Sequence, residues 1–272
     1  MAFGTSTPEL VVSIKTAFEG SGDISLGNVI GSNICNIALI LGMSSLLRPL
    51  RADLQVVRLQ IPVMIAVSLL LWLLLTDGGL NRLEGLGLCL GIVAYTIYSV
   101  YLARRGNARS LVEEGGGSKR GPVKNVWINA LSVAAGLALL IMGANLFVTG
   151  AVSVAEVLGV SQAFIGLTIV AVGTSLPELA TSLVAAVRKE ADIAVGNVVG
   201  SNIFNILCIL GISSLVRPVE MGGIRTADLI MMIFTAILTL PMARSGFRLS
   251  RWEGVVLLSL YVGYIVYLLS FN

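Results

Sequence analysis

The stretch AFGTSTPEL at residues 2 to 10 returns as AVGTSLPEL at 171 to 179, and GNVIGSNICNI at 27 to 37 returns as GNVVGSNIFNI at 196 to 206. Both pairs stand at one offset, 169 residues, and the register continues from SSLLRP at 44 to 49 to SSLVRP at 213 to 218. A chain that carries one unit twice at a fixed register folds as two related halves. Two units of this size are too few and too long for a solenoid array.

The units are apolar. Hydrophobic residues make up 56% of the chain and charged residues 12%, about half the charge of a soluble domain. The apolar residues fall in runs of roughly 20, the length of α-helix that crosses about 30 Å of hydrocarbon. A transmembrane β-barrel would instead alternate with period two. Spans are expected at about 1–18, 23–47, 55–76, 84–103, 125–155, 160–187, 192–216, 224–243 and 250–270. The Gly-rich, charged stretch RRGNARSLVEEGGGSKRGPVK reads as a surface linker. It divides the chain into a first half at 1–104, a linker at 105–124 and a second half at 125–272.

Corresponding segments lie five spans apart, an odd number, so the two copies face opposite ways across the membrane. Secondary transporters of this architecture place their substrate at the midplane between the repeats. The expected fold is therefore an all-α polytopic transmembrane bundle, an inverted-topology duplication with helices broken at the midplane. Of the 18 Lys and Arg residues, only Lys15, Arg82, Arg217 and Arg225 fall in one set of alternate loops. The richer set is assigned to the cytoplasm, with the linker inside and the C-terminus outside. Residues 125 to 170 of the second copy map to positions before Met1. This predicts about 45 to 50 further N-terminal residues and ten spans in the complete protein, an expectation that a stop codon immediately before Met1 would contradict.

The net charge of +3 comes from residues at the ends of apolar runs. No continuous basic face for nucleic acid is formed. Cys35, Cys89 and Cys208 lie inside apolar runs without CxxC spacing or any histidine, and read as small buried hydrophobes.

Within GTSLPE, Glu178 sits near the middle of an apolar run, where a carboxylate costs about 2.5 to 3.5 kcal/mol to insert. Pro177 removes an amide donor and opens the helix, freeing carbonyls around Ala171 to Thr174. Carbonyls, hydroxyls and a carboxylate are hard oxygen ligands suited to Ca2+ and Na+. Thr5, Ser6, Pro8 and Glu9 repeat the arrangement in the first copy. Ser6-x-x-Glu9 and Ser175-x-x-Glu178 also match a capping box at a helix start. Capping alone does not explain an acid at membrane depth in both halves, so ion binding is the stronger reading.

In GNVxGSNIxN, Ser32 and Asn36 are four apart on one helical face, as are Ser201 and Asn205. Ion ligation and interhelical hydrogen bonding suit these four equally. Gly27 and Gly31, with Gly196 and Gly200, form small-xxx-small pairs that admit a neighbouring helix. Asn28, Asn33, Asn197 and Asn202 are expected to satisfy carbonyls where the helix bends. Asp23 and Asp192 complement helix N-termini, and Glu113 and Glu114 belong to a solvated loop.

GTSxPE followed by GNxxGSNxxN in each half resembles the α-repeats of the Ca2+/cation antiporter superfamily, particularly prokaryotic Na+/Ca2+ exchangers. The resemblance covers nearly the whole chain. It implies that Glu9 and Glu178 are central ligands of Ca2+ and Na+ in alternation, and that Thr5, Thr174, Ser6, Ser175, Ser32 and Ser201 complete the sites. It places Asn36 and Asn205 at the midplane, two peripheral helices that slide past a rigid core, and the protein in a prokaryotic plasma (inner) membrane. K+-dependent relatives place Asp where this chain has Asn205, which weakens the case for K+ dependence. Two carboxylates balance one Ca2+ and fall one short of three Na+.

The expected function is therefore exchange of Ca2+ for Na+ in a lipid bilayer, with no cofactor and no obligate protein partner evident. H+ is the alternative counter-ion, because a glutamate removed from water can take up a proton when the cation leaves. A passive cation channel lined by the same acids and a non-transporting fragment are further alternatives. No P-loop, HExxH or nucleophile elbow suggests an enzyme.

Overall fold

Each apolar run forms a helix, the one structure short of a closed barrel that satisfies its own backbone in lipid. The computed structural model describes residues 2–113, 126–188 and 190–270. The first copy comprises α1 (Ala2–Thr5), α2 (Thr7–Glu19), α3 (Gly22–Leu47), α4 (Val56–Asp77) and α5 (Arg82–Glu113). The second comprises α6 (Val126–Val157), α7 (Gln162–Thr174), α8 (Leu176–Val187), α9 (Ile193–Val216), α10 (Thr226–Arg244) and α11 (Arg251–Ser270). Among the described residues, six helices are long and apolar enough to cross a membrane, and α7 with α8 makes a seventh span bent by 44°. The remaining expected spans, 1–18 and 125–155, correspond to α1 with α2 and to α6.

One boundary differs from expectation. Helix α5 runs on to Glu113 through the start of the 105–124 stretch, because Ala, Arg and Leu between 102 and 112 sustain a helix and a single Gly does not stop it. Residues 114–125, including Glu114, lie outside the described residues, as does Lys189.

Helices α3 and α9, which carry the GNVxGSNIxN motifs, form the centre. The most apolar window of α3 is 83% buried and that of α9 78%, against 6% for α5. Both central helices widen from α-helical to π-helical turns midway, at Cys35–Leu41 in α3 and Asn205–Leu210 in α9. Such turns frequently mark functional sites. The peripheral helices turn Leu83, Leu90, Ile97, Val262, Val266 and Leu269 outward, an apolar perimeter matched to lipid.

The halves are interwoven. Helix α5 of the first copy packs on the end of α9, where a Cβ added at Gly85 would stand 2.8 Å from the Gly211 carbonyl. Helix α11 packs on the end of α3, with Gly254 against Ser45 and Gly42. Two short strand pairs follow the same exchange: β1 (Leu50–Arg51) pairs with β4 (Arg248–Leu249), and β2 (Gly79–Leu80) with β3 (Val219–Glu220), both antiparallel. Adding 169 converts β1 into β3 and β2 into β4. The sequence register therefore persists in the fold, and each pair joins one repeat to the other.

Candidate cation-binding site

The two GTSxPE motifs break their helices in nearly the same way. Ser6 sits between α1 and α2 with φ −84° and ψ 14°, and Ser175 between α7 and α8 with φ −83° and ψ 4°. This is the bridge region, sparsely occupied and common in active sites. Pro8 and Pro177 follow in the first turns of α2 and α8, where their missing N–H groups cost least.

Neither serine caps its own helix, which corrects the capping-box reading. Their hydroxyls cross to the other copy instead. Ser6 Oγ donates to Glu178 Oε1 at 2.7 Å, and Ser175 Oγ donates to Glu9 Oε1 at 3.2 Å. Ser201 Oγ adds a bond to Glu178 Oε1 at 3.4 Å. Thr5 and Thr174, which precede Ser6 and Ser175, are buried with them. Both glutamates are fully buried, and they stand close enough to repel each other.

Each carboxylate keeps one oxygen, Oε2, without any hydrogen-bond partner. Among the described residues no Lys or Arg is paired with either acid; Lys15 and Glu19, 3.9 Å apart, form a surface pair on α2. Two like charges buried together without a counter-charge are strongly unfavourable. No group of three or more His, Cys, Asp or Glu side chains is gathered among the described residues. A cation here would be held by two carboxylates and by neutral oxygens, a hard donor set.

The asparagines of α3 and α9 supply such oxygens. Asn36 Nδ2 donates to Asn202 Oδ1 at 2.9 Å, and Asn205 Nδ2 donates to Asn33 Oδ1 at 3.0 Å. The side-chain oxygens of Asn36 and Asn205 remain unpartnered and buried. The element bearing Asn36 packs on α8, which carries Glu178, and the element bearing Asn205 packs on α2, which carries Glu9.

Beyond this core the copies differ. Asn28 Nδ2 donates to Ser13 Oγ at 2.9 Å and to the Glu9 carbonyl at 3.3 Å, while its Oδ1 accepts from Thr174 at 3.0 Å and from Ser32 at 3.4 Å. Ser32 also reaches the Ala171 carbonyl at 3.4 Å. In the second copy neither amide atom of Asn197 has a partner, nor does the Ser182 hydroxyl. Asn28, Asn33 and Asn202 each donate to a backbone carbonyl, of Glu9, Asn202 and Asn33 respectively, rather than to carbonyls at the Ser6 and Ser175 breaks, and Asn197 bonds none. Asn33 and Asn202 bond carbonyls of each other's copy.

The glycines also divide. A Cβ at Gly31 would strike the Leu167 carbonyl, and one at Gly27 would stand 3.1 Å from the Leu167 amide. At Gly196 the nearest atom is a Val56 methyl at 3.8 Å. Asp23 opens α3 and accepts from the Gly223 amide at 3.2 Å, a tie between the copies in addition to its helix-end position. Cys35 and Cys208 are buried and Cys89 partly so, all as free thiols.

All ten expected site residues, Thr5, Ser6, Glu9, Ser32, Asn36, Thr174, Ser175, Glu178, Ser201 and Asn205, are buried. Sequence reasoning left out Ser13 and Ser182, which lie one helical turn beyond the glutamates; their spacing of four from Glu9 and Glu178 was the available signal.

The sodium/calcium exchanger protein family matches residues 1–103 and 128–270. Inner membrane protein YrbG of Escherichia coli is 36% identical over 98% of this chain and 83% of its own length. Sodium/calcium exchanger MaX1 of Methanosarcina acetivorans is 33% identical over 98% of this chain and 86% of its own. A solved structure of the sodium-calcium exchanger NCX_Mj, soaked with Na+ and Ca2+, superposes with a TM-score of 0.78 at 32% identity, covering 98% of this chain and 83% of that one.

Proposed function

The chain belongs to the sodium/calcium exchanger protein family, and on that premise we propose that it exchanges Ca2+ for Na+ by alternating access, with Glu9 and Glu178 as the central ligands. One observation carries the reading: two fully buried carboxylates, one from each helix break, each with a free oxygen and no basic partner among the described residues.

Ca2+ balances both charges and takes six to eight oxygen ligands. The free Oε2 atoms of the glutamates and the free Oδ1 atoms of Asn36 and Asn205 supply four, and Thr5, Thr174, Ser6, Ser175, Ser32 and Ser201 stand around them as further oxygens. Na+ competes for the same carboxylates, so the two ions exclude one another. Each glutamate is bonded by the serine of the opposite repeat, so filling the site acts on the relation between the halves. That coupling distinguishes an exchanger from a channel, and the inverted repeat provides two equivalent facing states.

A cleft of about 390 Å³ between α6, α2 and the start of α7, lined by Lys15, Thr16, Asn145, Thr149, Ser153 and Gln162 among others, is a candidate access route. The buried face of α2 runs from Glu9 through Ser13 to Thr16, which borders it. We assign the Arg-rich loops to the cytoplasm of a prokaryotic inner membrane. This is supported by the strand pairs, since β1 and β4 both come from Arg-rich loops and β2 and β3 from Arg-poor ones, and by the relative named an inner membrane protein.

The coupling ion is tested by Ca2+ uptake into proteoliposomes loaded with Na+, with choline, or with an acid interior. Uptake that requires internal Na+ is the expected result. Uptake driven equally by the pH gradient, or indifferent to both, would overturn Na+ coupling in favour of H+ exchange or a channel.

A further inference from the structure

We propose that Asn33 and Asn202 are positioning residues: anchored on backbone carbonyls of the opposite repeat, they hold the side-chain oxygens of Asn36 and Asn205 free for the transported cation. The proposal rests on the cation site described above and adds the groups that set its polarity.

An asparagine amide presents a carbonyl oxygen on one side and an NH2 on the other, and its orientation follows from its partners. A backbone carbonyl can only accept. Asn202 Nδ2 donates to the Asn33 carbonyl at 3.1 Å, and Asn33 Nδ2 donates to the Asn202 carbonyl at 3.4 Å. These bonds fix which way round both amides lie, leaving each Oδ1 to face its next neighbour.

That neighbour must then donate. Asn36 Nδ2 does so to Asn202 Oδ1, and Asn205 Nδ2 to Asn33 Oδ1. With its NH2 turned to the inner amide, each outer amide presents its oxygen on the opposite side, and those two oxygens are buried without a partner. Reversing Asn36 would set its oxygen against that of Asn202 and turn an NH2, a cation-repelling group, into the site. The order backbone carbonyl, inner amide, outer amide, free oxygen occurs twice, at positions 169 apart. Buried acceptors left bare are costly unless a cation or donor meets them. The elements that bear them pack on the helices of Glu178 and Glu9, and the inverted register delivers one free oxygen from each repeat.

The relay is crossed: Asn202 acts through Asn36, and Asn33 through Asn205. A double-mutant cycle on Ca2+ binding by the purified chain reads this crossing. Asn202→Leu should raise the Ca2+ dissociation constant about tenfold, the equivalent of one hydrogen bond to a charged group. In an Asn36→Ala background the same change should have an effect within about twofold, whereas in an Asn205→Ala background it should keep its full size. Additive effects in both backgrounds, or no effect of Asn202→Leu alone, would overturn the proposal in favour of a purely structural role. Should Asn202→Leu fail to fold, Asn33→Leu with Asn205→Ala and Asn36→Ala forms the mirror cycle, and misfolding of both leucine variants would likewise overturn it. Ca2+ binding by the parent that is lost in Glu178→Gln sustains the site independently, so an additive cycle then removes the relay alone. A parent chain that binds no Ca2+ would overturn both.

Discussion

Ser6 Oγ donates to Glu178 Oε1 at 2.7 Å across the two repeats, 172 positions apart in sequence. Its mirror, Ser175 to Glu9, is longer at 3.2 Å. A hydrogen bond to a charged group contributes about 1.5 to 3 kcal/mol, with the shorter of two bonds the stronger. Ser6→Ala should therefore raise the half-saturating Ca2+ concentration for uptake more than Ser175→Ala does. Equal effects would mean that the length difference has no energetic consequence.

The two halves make a second contrast at Asn28 and Asn197. Asn28 joins Ser13, Glu9, Ser32 and Thr174 in one buried cluster, while neither amide atom of Asn197 is bonded. Asn28→Ala strands several of these groups and should destabilise the folded chain by about 1 to 3 kcal/mol. Asn197→Ala should be close to neutral, because it removes a group that gains nothing in this arrangement. Thermal unfolding of the two variants in detergent compares them directly, and a greater loss in Asn197→Ala would refute the assignment.

The paired glycines differ in the same sense. At Gly31 an added methyl meets the Leu167 carbonyl and stands 2.7 Å from the Ala171 side chain, so Gly31→Ala forces α3 and α7 apart at about 1 to 3 kcal/mol. Gly196→Ala meets only a Val56 methyl at 3.8 Å and should be tolerated. Expression yield and melting temperature of the two variants provide the test. Equal tolerance would contradict the close crossing of α3 and α7.

Spans, duplication and the two buried acids were legible because each depends on a local property: run length, register, or a charge inside an apolar run. Choice of partner was not. Ser6 has two glutamates at its disposal, Glu9 three residues on and Glu178 in the other copy, and the motif around each is nearly the same. Only the packing of α2 against α9 and of α8 against α3 decides for the distant one. The pairing of β1 with β4 and of β2 with β3 follows from topology, because spanning helix α4 separates β1 from β2 and helix α10 separates β3 from β4. The difference between Asn28 and Asn197 cannot be read from motifs that are identical in both copies. The widened turns at Cys35–Leu41 and Asn205–Leu210 carry no local signal such as proline.

Not every buried acid belongs to the cation site. Asp228 accepts from the Tyr264 hydroxyl at 3.0 Å and from the Arg225 amide at 2.8 Å, joining the start of α10 to α11. Tyr264→Phe removes one of these bonds and should lower stability by about 1 to 3 kcal/mol while leaving the half-saturating Ca2+ concentration unchanged. A large rise in that concentration would instead link this acid to ion binding.

The central claim is that Glu9 and Glu178 jointly hold the transported ion. It is tested most directly by Ca2+ uptake into Na+-loaded proteoliposomes containing the parent chain, Glu9→Gln or Glu178→Gln, each first checked for a folded, monodisperse protein. Glutamine keeps the size of the side chain and removes its charge, so uptake by the parent and its loss in both variants is the predicted result. Uptake that survives in either folded variant would contradict the two-carboxylate site.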